Sequence, residues 1–503
     1  MRPFEIVLLA ALVPAVVGIF YAPARRPRWW WLLTALPALL GVVQLLAEGH
    51  RWQLVPAYTL AALLLVVALT SRFRAQTERP RSRARRALRV GVGVLGMLFL
   101  VVAAALPALF PVFRLPQPTG RFAVGFTRFA LVDSAREEPF TADRADRREL
   151  LIWAWYPADA PKGRRATYWG PPGEITPRLA TALGLPSFLF SHLALVRTNA
   201  RVGAPIASAP ALQPVLIFSH GYNQGFPGQN TAQMEELASH GYAVFSIAHP
   251  HESVVVAYPD GRITPVSKAR MDSVAHGMRA IPGVMKKFVA SRDRGERAVL
   301  FRQLISEPRL LHQSLRVWTD DTRFVIDELT RINTGGVKAE PANAVFAGKL
   351  DLARVGVFGM SFGGTTAGQV CVVEPRCKAG VNLDGLQYGD PIDVPLRVPF
   401  MFMYSAVPGL NDPVYERAVG PVYSVNVEGS THFNYSDFSM ISPIFKRIGF
   451  LGSIEGARMQ AIMNAYLVAF FDTHLRGERA QLLDQTSAMY PEVSLATRVD
   501  VSR

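Results

Sequence analysis

Along the first 113 residues, long apolar runs alternate with short basic ones. Residues 4–22, 29–47, 52–70 and 90–113 form four apolar stretches of 19 to 24 residues. About 20 helical residues cross a hydrocarbon core of roughly 30 Å, so the pattern predicts four membrane-spanning helices. Trp29, Trp30, Trp31 and Trp52 fall at span ends, where interfacial aromatics settle, and Glu5 lies at the edge of the first span, within reach of the interface. From about Arg114 the pattern changes to short apolar runs alternating with helical periodicity. Residues 150–156 (stopping at Pro157), 215–218, 243–248, 354–358, 379–383, 400–405 and 423–427 read as strands. Residues 230–239, 320–332, the stretch from Thr365 and 456–475 read as helices. Such alternation predicts a mostly parallel sheet flanked by helices, the α/β class. Residues 252–317, between Pro250 and Trp318, are too many for a plain connection and are expected to form a helical cap. The chain thus divides into a four-span region (1–113), an α/β domain (114–485) carrying that cap, and a tail (486–503). A second apolar stretch, 179–196 with Phe188, Leu189 and Phe190, suits an acyl pocket, a lipid contact or packing on the core.

Composition sharpens this reading. Half of the 503 residues are hydrophobic and 18% are charged, which excludes a mainly disordered chain. The only two cysteines, Cys371 and Cys377, exclude a disulfide scaffold and are too few for a structural zinc site. They flank a helix-to-strand turn and allow either a disulfide, which an extracytoplasmic domain permits, or two reduced core thiols. The formal charge of +15 suggests nucleic acid until it is placed on the chain. Residues 1–113 hold thirteen Arg, no Lys and three Glu, hence +10, and the other 390 residues share only +5. The excess sits between apolar runs, in Arg25, Arg26 and Arg28 and in the run 72–89 with eight Arg and one Glu. A nucleic-acid module would interleave its cations with aromatics or gather them on one face. The distribution instead indicates membrane topology.

The positive-inside rule places loops 23–28 and 71–89 in the cytoplasm, hence the N-terminus and everything after the fourth span outside. A rival reading cleaves residues 1–24 as a signal peptide at Ala22-Pro23-Ala24. It exports the first basic cluster, and then either exports the second as well or inverts the orientation, so four uncleaved spans are preferred. In the cap, residues 268–309 carry ten Lys/Arg against four Asp/Glu, which fits a solvated helical face or attraction to phosphate headgroups.

Gly359-Met360-Ser361-Phe362-Gly363 lies between a strand and a helix and matches the nucleophile elbow G-x-S-x-G. Its glycines permit a turn sharp enough to present the serine hydroxyl at the end of the sheet. A serine is a weak nucleophile without a base, and the base needs an orienting carboxylate. In chain order Ser, Asp, His, the acid is expected at Asp384, which ends strand 379–383; Asp390 and Asp393 lie farther into the loop. Only His432 and His474 follow Asp384. His474 ends an amphipathic helix, so His432 is the expected base. The oxyanion of a tetrahedral intermediate needs two backbone N–H donors. Phe362, after the nucleophile, and Tyr222, after Ser219-His220-Gly221, are the candidates. His249 and His251 resemble a metal pair, but a two-residue spacing on a post-strand loop is nonspecific, and no metal or cofactor is expected.

Four motifs go further: Ser219-His220-Gly221-Tyr222, Leu237-Ala238-Ser239-His240-Gly241-Tyr242, the glycines around Ser361, and Gly429-Ser430-Thr431-His432-Phe433-Asn434-Tyr435-Ser436-Asp437-Phe438. Together they resemble the plasma (type II) platelet-activating factor acetylhydrolase family of α/β-hydrolases over about residues 115–480. The resemblance implies a calcium-independent serine esterase removing short or oxidised sn-2 acyl groups from glycerophospholipids, with Ser361, Asp384 and His432 as its triad. The four-span N-terminus and Gly385-Leu386 after Asp384, where the family often has an aromatic, depart from the pattern. Bacterial polyester hydrolases and cutinase-like or general short-chain esterases are near relatives, and thioesterases and peptidases share the triad. A different class, a non-catalytic membrane-tethered binding domain on the same scaffold, is the remaining alternative. Serine at the elbow excludes an aspartate-nucleophile dehalogenase or epoxide hydrolase.

Overall fold

The computed structural model describes residues 1–20, 28–73, 83–209, 212–306, 309–336, 341–405, 407 and 409–498. They form two compact units. One comprises Met1–Phe113, Ser191–Val196 and Ile441–Ile444, the other Arg114–Phe190, Arg197–Met440 and Phe445–Arg503.

In the first unit the helices Pro3–Phe20, Arg28–Glu48, Val55–Phe73 and Arg83–Leu109 are long and apolar enough to cross a membrane. Leu8, Leu12, Val16, Leu60 and Leu64 pack inside, whereas Leu32, Leu39, Leu46 and Leu98 are exposed. Glu5 sits in the first turn of its helix. It is fully buried and paired with Arg2 and Arg51. An unpaired carboxylate among these leucines would cost several kcal/mol, and the guanidinium partners offset that cost. Arg25, Arg26, Arg74, Arg79 and Arg81, on which the orientation rests, and the triplet Ala22-Pro23-Ala24 lie outside the described residues.

The second unit is built on strands β1 (Ala123–Glu137), β2 (Arg147–Ala158), β3 (Arg165–Thr167), β4 (Arg197–Val202), β5 (Gln213–Ser219) and β6 (Ala243–Ala248), a small hairpin of β7 (Val255–Ala257) and β8 (Ile263–Pro265), then β9 (Leu350–Met360), β10 (Cys377–Leu383), β11 (Phe400–Tyr404), β12 (Val422–Val427) and β13 (Val493–Arg498). Eleven strands form one sheet in the order β13-β12-β11-β10-β9-β5-β6-β2-β1-β4-β3. From β6 to β12 all pairings are parallel, while β2 and β13 flank this block antiparallel. Parallel strands covered on both faces are apolar throughout rather than alternating. β5 and β6 show this, every residue of each being buried. Their parallel direction brings all their carboxyl ends to one edge, where an α/β sheet places its ligands.

Three differences from the sequence pattern have physical causes. β2 runs through Pro157, because β6 pairs with it only as far as Trp155; beyond that point the Pro157 carbonyl accepts from Ala207 N–H (2.7 Å) and no ladder donor is required. β1 and β13 are not legible as strands, because Arg128 and Asp133 in β1, and Ser494, Thr497 and Arg498 in β13, interrupt the apolar period. β13 completes the sheet edge from within the segment read as a tail. The cap contains helices Lys268–Gly277, Ile281–Ala290 and Arg294–Ser306, followed by Arg309–Thr334. That last helix starts well before residue 320, because Leu311, Leu315 and Trp318 on its first turns are buried.

Candidate active site

Ser361 sits between β9 and the helix Phe362–Val373, with φ at +58°. A non-glycine residue rarely adopts this left-handed backbone, and it persists only where the surroundings enforce it. The enforcement comes from close packing of the turn. A Cβ on Gly363 would lie 1.8 Å from the Ser219 carbonyl oxygen, and one on Gly359 would lie 2.2 Å from the Gly363 carbonyl carbon. Ser361 N–H donates to the Leu383 carbonyl of β10 (2.8 Å), tying the elbow to the neighbouring strand.

Parallel strands of the same sheet deliver the partners. Asp384 follows β10 directly, and His432 follows β12 by way of Gly429, whose φ is +73°. His432 Nδ1 lies 2.7 Å from Asp384 Oδ2, and its Nε2 lies 3.0 Å from Ser361 Oγ. An ionised carboxylate can only accept, so Nδ1 carries the hydrogen and Nε2 is left to accept from the serine hydroxyl. Such an imidazole can take a proton from Ser361 and return it to a leaving group. Asp384 is largely buried, while the His432 side chain is 41% exposed, open to an incoming ester. Asp390 instead accepts from Gln369 Nε2 (2.8 Å), Asp393 caps the same short turn, and His474 contacts the Tyr423 hydroxyl (3.0 Å).

The histidine motif is explained by its own hydrogen bonds. Asn434 Oδ1 accepts from Thr431 N–H and Gly452 N–H (both 2.9 Å) and holds the turn that carries His432. Asp437, three residues on and fully buried, accepts from the Tyr168 hydroxyl (3.1 Å) and anchors that turn to the helix Thr231–Ser239 through Ala232 N–H (3.3 Å). Burial drives the Asp437 carboxyl well above its usual range. Sequence reasoning missed Ser405. At the end of β11 its N–H (2.7 Å) and hydroxyl (2.8 Å) both donate to Asp384. Its position one strand from Asp384, at the same edge, is the signal that could have found it.

Phe362 opens a helix, where backbone N–H groups have no intrahelical partner. Tyr222 lies in the loop after β5, with its ring 5.0 Å from that of Phe362. Gly221 N–H before it is already held by Gln229 Oε1 (3.2 Å). Two cavities open beside Ser361. A small one of about 90 Å³ is lined by Gly221, Gln229, His432 and Phe433. The other, about 340 Å³, is mainly apolar and walled by the cap through Met271, Val274, Met278 and Leu304 together with Leu386 and Tyr388. Phe188, Leu189 and Phe190 line neither; Phe190 packs near Phe445 instead.

His249 and His251 do not form a shared site. His249 Nδ1 meets Asp321 Oδ2 (2.8 Å), its Nε2 meets Ser219 Oγ (3.2 Å), and its ring stacks 3.8 Å from Trp318. His251 lies instead beside Phe140. Asp321 also receives Arg148 through Nε (3.0 Å) and Nη2 (2.7 Å), all fully buried. Burial alone would raise the Asp321 carboxyl, yet Arg148, with His249, holds it well below the usual carboxylate range. A depressed folded pKa contributes stability that is full above the unfolded value of about 4 and lost as pH falls below it. Asp321→Asn is therefore expected to cost about 3 kcal/mol near pH 7, because Arg148 loses one of its two buried carboxylate partners and keeps only Glu138. The same variant should also flatten the stability loss between about pH 4 and pH 2. Denaturant midpoints across pH check both; an unchanged acid slope would show that Asp321 does not carry it.

Comparisons with known proteins bear on the family and the class of reaction. The family model described as platelet-activating factor acetylhydrolase, isoform II, matches residues 108–488. Platelet-activating factor acetylhydrolase of Cavia porcellus is 26% identical over 328 residues, covering 61% of this chain and 68% of that protein. The Gallus gallus enzyme of the same name is 24% identical over 414 residues, covering 78% and 91%. A probable 1-alkyl-2-acetylglycerophosphocholine esterase of Arthroderma benhamiae is 25% identical, covering 55% and 67%. Among solved structures, a ferulic acid esterase from Streptomyces cinnamoneus superposes with a TM-score of 0.57 at 26% identity, covering 76% of this chain and 99% of its own. A family match over three quarters of the chain, an esterase as structural neighbour and a sheet of α/β-hydrolase form lead to one conclusion: this chain belongs to the platelet-activating factor acetylhydrolase, isoform II, family and is a carboxylic-ester hydrolase.

Proposed function

We propose that the chain is a membrane-anchored serine esterase that removes short or oxidised sn-2 acyl groups from glycerophospholipids without calcium. The observation that carries this reading is the line of hydrogen-bonding atoms Ser361 Oγ, His432 and Asp384, at 3.0 and 2.7 Å, opening beside an apolar cleft. Ser361 Oγ bonds to the ester carbonyl carbon while its proton passes to His432 Nε2. Asp384 holds the imidazole in the accepting tautomer and stabilises its cation. The backbone N–H groups of Phe362 and Tyr222 receive the oxyanion. Collapse expels the lysolipid alkoxide, which takes the proton from His432, and water then cleaves the acyl-enzyme by the same route in reverse. The cleft of about 340 Å³ takes the acyl group.

The four apolar helices serve as the anchor, with the hydrolase unit on the extracytoplasmic side. Exposed leucines on those helices support the first point, and the Cys371–Cys377 disulfide, a bond suited to an oxidising compartment, supports the second. A second reading, a short-chain or polyester esterase, is favoured by the ferulic acid esterase likeness.

Phosphatidylcholines of graded sn-2 length, offered beside a soluble polyester fragment to the full chain in detergent, separate the two. Rates falling steeply beyond a short chain, with the polyester slow, are expected. A polyester rate above every phospholipid rate rejects the lipid assignment. A fluorophosphonate probe should label Ser361 in either case.

A further inference from the structure

The loop that carries Tyr222 is held by one buried carboxylate. Glu252, in the loop after β6, has no solvent exposure, and four donors converge on it. Oε1 accepts from the Tyr222 hydroxyl (2.8 Å), Arg270 Nε (2.6 Å) and Ser314 Oγ (2.5 Å), and Oε2 accepts from Trp318 Nε1 (2.7 Å). Its backbone carbonyl also accepts from Asn223 N–H (2.9 Å). Arg270 belongs to the first cap helix, while Ser314 and Trp318 belong to the helix Arg309–Thr334. Three separate elements therefore meet at a single side chain.

Burying a carboxylate is costly, and the cost is offset only where its lone pairs are met by donors and a cation. Here they are, with Arg270 as the cation. The rings around the cluster continue the connection to the reacting centre. Phe362 packs edge-on against both Tyr222 (5.0 Å) and Trp318 (4.7 Å). Both backbone donors assigned to the oxyanion thus belong to residues packed into the Glu252 cluster, and Met271 and Val274, on the helix that supplies Arg270, wall the apolar cleft.

We propose that Glu252 is a positioning residue for ester hydrolysis. It fixes the Tyr222 N–H relative to Ser361 and ties that position to the cap helices enclosing the acyl group. The inference rests on Ser361 as nucleophile and Tyr222 as oxyanion donor. Catalysis by such donors depends on their being aimed before charge develops, so a loop free to shift loses rate while substrate binding is kept.

The test uses the full chain in detergent with p-nitrophenyl acetate. Tyr222→Phe keeps the ring and the backbone N–H and removes only the hydroxyl, which meets Glu252 Oε1 (2.8 Å) and Ser314 Oγ (3.2 Å), both within the cluster. Its kcat is expected to fall about tenfold, the worth of one hydrogen bond to a charged group, with KM and melting temperature close to wild type. Glu252→Gln leaves Trp318 and the amide NH2 as opposed donors and Arg270 without its counter-charge. Its kcat is expected to fall about 100-fold, as for a displacement of about 1 Å at a reacting centre. The rate of fluorophosphonate labelling at Ser361 should fall in parallel in both variants, because phosphonylation uses the same donors. Wild-type kcat in Tyr222→Phe overturns the proposal, and that variant decides alone if Glu252→Gln does not fold. A drop in activity wholly explained by fewer titratable active sites overturns it as well. Absence of Ser361 labelling in the wild type would instead refute the nucleophile assignment, so the two failures are distinguishable.

Discussion

Replacing Ser361 by alanine is expected to lower kcat for p-nitrophenyl butyrate by roughly 10⁶-fold, the scale seen when a triad nucleophile is removed. The physical reason lies in the reaction path rather than in binding. Without the hydroxyl no acyl-enzyme forms, and His432 is left beside an empty position with nothing to deprotonate. The proposed oxyanion donors, the N–H groups of Phe362 and Tyr222, and the apolar cleft survive the change, so a residual rate above uncatalysed hydrolysis should persist while KM changes little. Folding should be retained, because alanine removes one oxygen and leaves intact the Ser361 N–H bond to Leu383 and the carbonyl bonds to Gly364 and Thr365. Steady-state kinetics with the full chain checks this, with circular dichroism to confirm the fold. A loss smaller than tenfold would place the nucleophile elsewhere.

Asp384→Asn should cost about 10⁴-fold in kcat, through a tautomer rather than a missing contact. The carboxylate accepts three hydrogen bonds: from Ser405 N–H, from the Ser405 hydroxyl and from His432 Nδ1. An amide has one oxygen. If that oxygen keeps the Ser405 N–H, the NH2 group faces Nδ1 and donates to it. The ring hydrogen then moves to Nε2, which can no longer accept from Ser361. Volume is nearly conserved, so KM and thermal stability should change far less than kcat. Ser405→Ala, which leaves the carboxylate in place, should lose much less. Equal losses in the two variants would mean that Asp384 serves only to hold the sheet edge.

How much of this could be read in advance differs from element to element. Strands β5 and β6 were legible because a parallel strand covered on both faces is apolar along most of its length. The elbow was legible because only glycine fits at 359 and 363, where added Cβ atoms would meet backbone atoms at 2.2 and 1.8 Å. Those two steric demands leave a mark in the residue types themselves. β1 left no such mark, since Arg128 and Asp133 lie within it and its cohesion comes from pairing with β2. The burial of Glu5 is not legible, because hydropathy sees one charge on one helix and not the Arg51 that meets it from another segment.

Local sequence alone therefore determined the apolar spans, the α/β alternation, the glycine-bounded serine and the short menu of acids and bases after it. Residue type and nearest-neighbour sterics suffice for these. Tertiary structure alone decided that Ser405 steadies Asp384 and that Glu252 gathers donors from the loop of Tyr222 and two cap helices. A hydrogen bond between groups 18 to 62 residues apart depends on where the sheet order brings strand ends and loops together. That order is set by packing the whole chain at once, and no short window of sequence contains it.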